Sequence, residues 1–293
     1  MTVHIPVLPA EVVDLLSPMP GDTIVDGTLG GGGHAALLAE RVGETGRVIG
    51  LDRDAAAAAS TGERLAGLPV EAHHANYADL PEVLAGLGVE KVNGILLDLG
   101  LSSDQLGDEH RGFSFDCEGT LDLRFDVSRG EPAYRLLNRL SAEHLADLIY
   151  NYGEEKLSRR IARKIVEERR REPIETSRRL SDVIRRAVGR QYEKRINPAT
   201  RTFQALRIAV NNELKWVDDA LRRLPDCLAP GGRFAVISFH SLEDRRVKQA
   251  FRGDDRLRII TKNAVRPGDE ELASNPRSRS SRLRVAERVG SDQ

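Results

Sequence analysis

Three acidic residues and a run of glycines hold the chemistry that can be read from this chain. Val25-Asp-Gly-Thr-Leu-Gly-Gly-Gly-Gly-His34 joins an apolar, strand-like run to the helical pattern of AALLAERV. Such a turn lets a nucleotide-like ligand lie against bare backbone, within reach of the helix's N-terminal amides. Asp52 follows Gly30 by 22 residues, near the spacing of about 20 at which an acid ending the second strand meets a ribose hydroxyl. Asp98 closes the run ILLD, at the strand end where open parallel sheets place their chemistry. Aspartate also initiates turns, and DLGLSS is a turn-like sequence.

Asp26, at the tip of the first strand-like run, discriminates between ligands of this shape. A carboxylate there repels a pyrophosphate but suits the ammonium and sulfonium groups of S-adenosylmethionine. A GxGxxG pattern fits over Gly27 to Gly33 only with awkward spacing, which weighs against a dinucleotide. Tyr77, just past the third strand-like run, is placed either to stack on adenine or to serve as an ordinary half-buried aromatic. His34 by residue type caps the helix or fills a core position.

These residues need a scaffold that gathers several strand ends. TIVD (23–26), RVIGLD (47–52), PVEAHH (69–74) and NGILLDLG (93–100) are short apolar runs, separated by helical patterns at 34–42, 54–66 and 79–87. That alternation implies right-handed crossovers and a parallel sheet. It stops for about 130 residues and resumes with NELKWVDDALRRL, a Pro230-Gly-Gly turn and RFAVISF (233–239); LRIIT (257–261) and RLRVAER (282–288) supply two last strands. The number and order of strands resemble the seven-stranded methyltransferase sheet, whose last strand is antiparallel. The expected fold is α/β, a Rossmann-like S-adenosylmethionine-binding sheet formed by 1–107 and 208–293. An all-helical, basic subdomain at 108–207 interrupts it, with Thr176 or Ser177 capping one of its helices. NAVRPGDEELASNPRSRSS reads as a loop.

The 293 residues, 40% hydrophobic and 30% charged, indicate an ordinary globular protein. No apolar run approaches the roughly 18 residues needed to cross a bilayer, and MTVHIPVLPAE lacks a signal peptide's basic start and apolar centre. Cys117 and Cys227 match no zinc or redox spacing, and no metal-ligand cluster is visible. A cytoplasmic protein is expected, with no membrane partner; a homodimer is left open. The net charge of -1 conceals a basic block: residues 151–210 carry 17 Lys/Arg against 8 Asp/Glu, leaving the remainder at -10. This asymmetry points to a polyanionic partner or to a solvated helical face laced with ion pairs.

Several runs, in order along nearly the whole chain, resemble the bacterial RsmH (MraW) family, which methylates the exocyclic N4 of a cytidine in small-subunit ribosomal RNA. They are HIPVLPAE (4–11), DGTLGGGGH (26–34), LDRD (51–54), NGILLDLGLSSDQL (93–106), RGFSF (111–115), LDLRFD (121–126), YGEEKLSRRIARKIV (152–166), NPATRTFQALRIAVNNEL (197–214), LAPGGRFAVISFHSLEDRRVK (228–248) and NPRSRSSRLRVAER (275–288). The resemblance implies S-adenosylmethionine as donor and a donor site at Gly32, Gly33, His34, Asp52, Tyr77, Asp98 and Gln105, beside Asp26. Tyr77 stands where the family usually has Phe, and Asp104 where it usually has Pro.

The N4 amine is a poor nucleophile because its lone pair is delocalised into the ring. Asp98, or a backbone carbonyl in Asp98-Leu-Gly-Leu-Ser-Ser, is the candidate to accept an N4 hydrogen, with Ser102 and Ser103 weaker. Alignment of the reactants supplies most of the rate, about 7–11 kcal/mol. Holding 16S ribosomal RNA, or the small subunit, requires cations and stacking groups. Candidates are Arg111, Arg124, Arg195, Arg201, Arg207, His240, Arg245, Arg246, Arg277, Arg279, Arg282 and Arg284, although any single arginine is more often a surface ion-pair partner. Competing readings are methylation of another amine, a non-catalytic ribosome-assembly factor and an NAD dehydrogenase. FHSLED hints at a hydrolase, but no GxSxG elbow accompanies it.

Overall fold

A computed structural model describes residues 5–101, 107–189 and 197–290. Ser102, Ser103, Asp104, Gln105 and Arg195 lie outside the described residues. The chain forms two compact units, one of residues 1–102 and 214–293, the other of 103–213.

The chain opens with α1 (Pro9–Leu16), β1 (Thr23–Asp26), α2 (Gly33–Val42), β2 (Arg47–Asp52), α3 (Ala55–Arg64), β3 (Val70–His74), α4 (Leu80–Gly86) and β4 (Val92–Asp98). The second unit follows with α5 (Ala133–Arg139), α6 (Ala142–Gly153), α7 (Ser158–Arg169), α8 (Ser177–Val188) and α9 (Thr200–Asn211). The first unit then resumes with α10 (Glu213–Arg223), β5 (Leu228–Ser238), α11 (Ser241–Gly253), β6 (Leu257–Ile259), α12 (Asp269–Ser274) and β7 (Arg282–Arg288).

The sheet order is β3-β2-β1-β4-β5-β7-β6. β1 to β5 pair in parallel, while β7 runs antiparallel to both β5 and β6, as the sequence predicts. Strands covered on both faces need apolar residues at almost every position, and β1 and β4 are buried over most of their length. Successive side chains alternate between faces. Val25, Ile95, Leu97 and Phe234 accordingly pack with Leu80, Leu84, Leu221 and Phe251. Ile24, Leu96 and Ala235 pack on the other face with Leu38, Val42 and Leu16.

Two expectations are corrected here. Pro230-Gly-Gly is not a turn ahead of the strand. β5 already pairs at Leu228 with Val92, and the register shifts between Val92 and Gly94. The glycines make this bulge: Gly231 has φ +80, and a Cβ on Gly232 would lie 2.9 Å from Ala229 O and 3.0 Å from Asn93 O. Second, the stretch read as a loop contains α12. Glu271 accepts a hydrogen bond from Leu8 N at 2.8 Å, and Asn275 Nδ2 donates to Ile5 O at 3.3 Å. These long-range ties fix a segment whose local composition signals only turns.

In the second unit α6 packs on α7 and α9, and α7 on α8. Thr176 caps α8 by accepting from Arg179 N, as predicted, whereas Ser177 is buried and donates to Gly112 O at 2.6 Å. Asn211, at the end of α9, donates to Leu123 O at 2.7 Å and accepts from Phe125 N at 2.7 Å. It thereby fastens the LDLRFD segment. Removing one partner from buried hydrogen bonds costs about 1–3 kcal/mol. Asn211→Ala is therefore expected to lower the urea midpoint by that equivalent, and an unchanged midpoint would contradict the assigned tie.

Candidate active site

β1 and β4 are neighbours in the sheet although β2 and β3 separate them in sequence, so strand order reverses between them. Open α/β sheets bind ligands in the crevice beyond the strand ends at such a switch point. The register sets Asp26 opposite Leu96, and Asp98 ends β4 two residues later. The two carboxylates thus meet at the switch.

The glycine turn is held open by its neighbours. Gly27 N donates to Leu96 O at 2.9 Å and Leu29 N to Leu51 O at 2.8 Å. Asp52 accepts Gly30 N at 2.8 Å through one oxygen and Asp54 N at 2.8 Å through the other. Thr61 Oγ1 donates to Gly30 O at 2.7 Å and Arg64 to Gly31 O at 2.6 Å. Gly30 and Gly32 have φ of +46 and +70, a region that side chains disfavour. Not every glycine is bare for a ligand's sake. A Cβ on Gly32 would lie 2.7 Å from Thr61 Cγ2, and one on Gly33 would lie 3.0 Å from Pro6 Cδ. Close packing against α3 and the N-terminal segment thus accounts for these two.

Asp26 is 1% exposed. It accepts backbone hydrogen bonds from Thr28 and from Ala35 in the first turn of α2, and so acts as an anion at that helix's positive end. Burial nevertheless pushes its pKa up to about 7, and the charge of Asp52 adds to the rise. Asp98 is also raised to about 7: burial is the main cause, Asp26 and Glu243 push the same way, and the Gly100 amide opposes. Asp98 N donates to Thr28 Oγ1 at 2.6 Å. His34, itself buried, places Nε2 3.7 Å from Asp98 Oδ2. Asp98 Oδ1 is buried with no hydrogen-bond partner among the described residues. A buried acceptor left unsatisfied is costly, and here it faces a site with excess negative charge. The arrangement suits a cation together with a hydrogen-bond donor. Tyr77 is 7% exposed and packs in the sheet core with Val25 and Leu97.

Most candidate RNA cations turn out to be occupied inside the protein. In the second unit, Arg111 donates to Arg124 O and Phe125 O, Arg124 forks onto Asp122, Arg207 forks onto Glu213 at 2.9 Å, and Arg201 approaches Glu155 at 3.8 Å. In the first unit, Arg246 pairs with Asp218, and Arg282 and Arg284 share Asp244. His240 is the N-cap of α11, completing a capping box with Glu243. These side chains are thus engaged within the protein, the role that residue type alone favours for a single arginine. Arg245, Arg277 and Arg279 are exposed. Sequence reasoning missed Thr28, Thr61 and Arg64, which shape the turn, and Glu243, which adds to the charge around Asp98. HSLE carried a signal for the last, since a cap followed three residues later by Glu is the capping-box spacing.

Comparisons with known proteins bear on the family and the fold. The model of the MraW methylase family matches residues 1–289. Among curated relatives, the "Ribosomal RNA small subunit methyltransferase H" of Synechococcus elongatus is 51% identical over 289 residues, covering 98% of this chain and 95% of its own. The relative of the same name in Rhodopirellula baltica is 48% identical over 299 residues, covering 98% and 92%. A solved structure from Clostridium thermocellum, described as a candidate rRNA methylase, superposes with TM-score 0.50 at 15% identity, over 98% of this chain and 100% of that one; this supports the fold.

The raised carboxylates make a signed prediction. With folded pKa values near 7 against 3.8 unfolded, the native state holds more protons between these limits. Their contribution to stability therefore falls as pH rises from about 4 to 7 and stays low above. Asp98→Asn removes one charge, so it is expected to match the parent near pH 4 and to exceed it increasingly up to pH 8. For roughly 1 kcal/mol relieved, the rise in Tm is about 2–4 °C. A variant less stable than the parent at pH 8 would contradict the charge arrangement.

Proposed function

The chain belongs to the MraW methylase family, and on that premise we propose that it methylates N4 of a cytidine in small-subunit (16S) ribosomal RNA near the decoding site. Its methyl donor is S-adenosylmethionine, which supplies an electrophilic methyl group on a sulfonium. The reading places the enzyme in the cytoplasm with ribosomal RNA or the small subunit as partner; no described helix is long and apolar enough to cross a membrane.

The observation that carries the proposal is Asp98 at the sheet's switch point, partly buried, with Oδ1 enclosed and without a hydrogen-bond partner among the described residues and its pKa raised. In this reading Asp26 and Asp98 supply negative charge for the donor's cationic groups. Asp52, already holding the glycine turn, takes the ribose. Gly32, Gly33 and His34 line the turn, and Tyr77 and Gln105 complete the donor site. Asp98 Oδ1 accepts an N4 hydrogen, which localises the nitrogen lone pair toward the methyl group. A base whose pKa lies near the working pH is suited to receive that proton. Once the donor's cation is gone, the pocket again favours the protonated acid, because burial and the neighbouring carboxylates raise its pKa. Ser102 is the weaker alternative acceptor.

Incubation with labelled donor and small-subunit RNA, followed by nucleoside analysis, is expected to yield N4-methylcytidine at one position. Asp98→Ala should reduce turnover by about 10²–10⁴, the contribution of a positioned base, when the donor is saturating. Near-parental turnover would remove Asp98 from the chemistry. Label in another nucleoside would refute the assigned substrate atom.

A further inference from the structure

The basic block divides into two adjacent helices of opposite character. Each arginine of α8 has a carboxylate partner: Arg178 with Glu118 at 2.9 Å, Arg179 with Glu172, Arg185 with Asp116 at 3.1 Å, and Arg186 with Glu168 at 3.5 Å. Along α7 the pattern inverts. Lys156, Arg159, Arg160, Arg163 and Arg170 are exposed, and none has an ion-pair partner among the described residues. At 3.6 residues per turn Arg159, Arg160, Arg163 and the C-cap Arg170 fall on one face, extending about 17 Å at 1.5 Å per residue, and Lys156 lies in the turn just before the helix. The one acid on that face, Glu167, is engaged by Lys164 at 3.1 Å and Arg171 at 3.6 Å.

Such a row is unfavourable for the helix itself. Arg159 and Arg163 are like charges at i,i+4 spacing, a destabilising pair. Nothing within the described part of the unit offsets this, although α8 shows that carboxylates can be placed against arginines. We propose that this face of α7 docks the phosphate backbone of the RNA, an inference that rests on the RNA-methylation reading above. The opposite face excludes a lipid surface as the target: Ile161, Ala162 and Ile165 are fully buried in the unit, leaving no apolar face to insert. A protein partner requires an apolar centre to its interface, and the row contains none. Five unneutralised cations in a line fit a chain of phosphates, which gains affinity by releasing counterions.

The test uses the full chain with Arg159→Gln, Arg160→Gln and Arg163→Gln combined, since Gln and Arg have similar helix propensities. Binding to a small-subunit RNA fragment is measured against salt. Loss of three phosphate contacts should shallow the log–log salt slope by about 2–3 and weaken binding about tenfold or more at low salt. KM for RNA should rise, with kcat and calorimetric donor affinity unchanged. Glu167→Gln should instead tighten RNA binding without shallowing the slope, which keeps the test informative if the triple variant folds poorly. An Arg178→Gln, Arg185→Gln control on α8 should leave the slope unchanged. A folded triple variant with the parental slope and KM would overturn the proposal. So would a KM increase confined to assembled subunits while naked-RNA binding is unchanged, the mark of a protein contact. Failure of the underlying reading looks different: the parent chain itself would neither bind nor methylate RNA.

Discussion

The site depends on two carboxylates, Asp26 buried and Asp98 largely shielded from water, at the point where the sheet reverses its strand order. Asp26 ends β1 and Asp98 ends β4, and the pairing of those strands forces the two groups together. Apolar strands build the crevice, and the same burial that stabilises the sheet raises both pKa values to about 7. Separation of these two charges from solvent is unfavourable until something positive sits beside them. Without a compensating cation the pair is thus least stable in the charge state best suited to a sulfonium. This is the usual conflict between stability and function at a binding site.

Around this pair the protein invests in rigidity. Asp52, Thr61 and Arg64 take up the amide and carbonyl groups of the glycine turn, and Thr28 ties the turn to the backbone of Asp98. Four segments distant in sequence therefore share one network at the strand ends. Pre-organisation of this kind places donors and acceptors before the ligand arrives, so less ordering remains to be done on binding.

Much of this was legible in sequence because it depends on local rules. Continuous apolar runs such as ILLD mark doubly covered strands, DGTLGGGG marks the turn, and Asp52 sits at the spacing of a second-strand acid. The antiparallel last strand followed from the resemblance of the runs to the seven-stranded methyltransferase sheet. What escaped depends on contacts between distant residues. Arg284 meets Asp244 across 40 positions, so nothing near Arg284 reveals that its charge is already paired. α12 is fixed by the N-terminal segment, and the Pro230-Gly-Gly bulge by the register against β4. Glycines 32 and 33 carried a mixed message: their absence of side chains serves packing against Thr61 and Pro6 as well as access to the turn. The basic residues of the helical block looked uniform in sequence, yet partner placement sets the four paired arginines of α8 apart from an unpaired row along α7.

The most direct test compares calorimetric binding of S-adenosylmethionine with that of its uncharged thioether product, S-adenosylhomocysteine, from pH 6 to pH 8. If Asp26 and Asp98 hold the sulfonium, preference for the cationic ligand will grow as the carboxylates ionise, and its binding will release protons near pH 6.5. Replacing Asp98 by Asn will flatten that dependence. Equal affinity for both ligands at every pH, with no proton release, would contradict the central role given to the buried carboxylate pair.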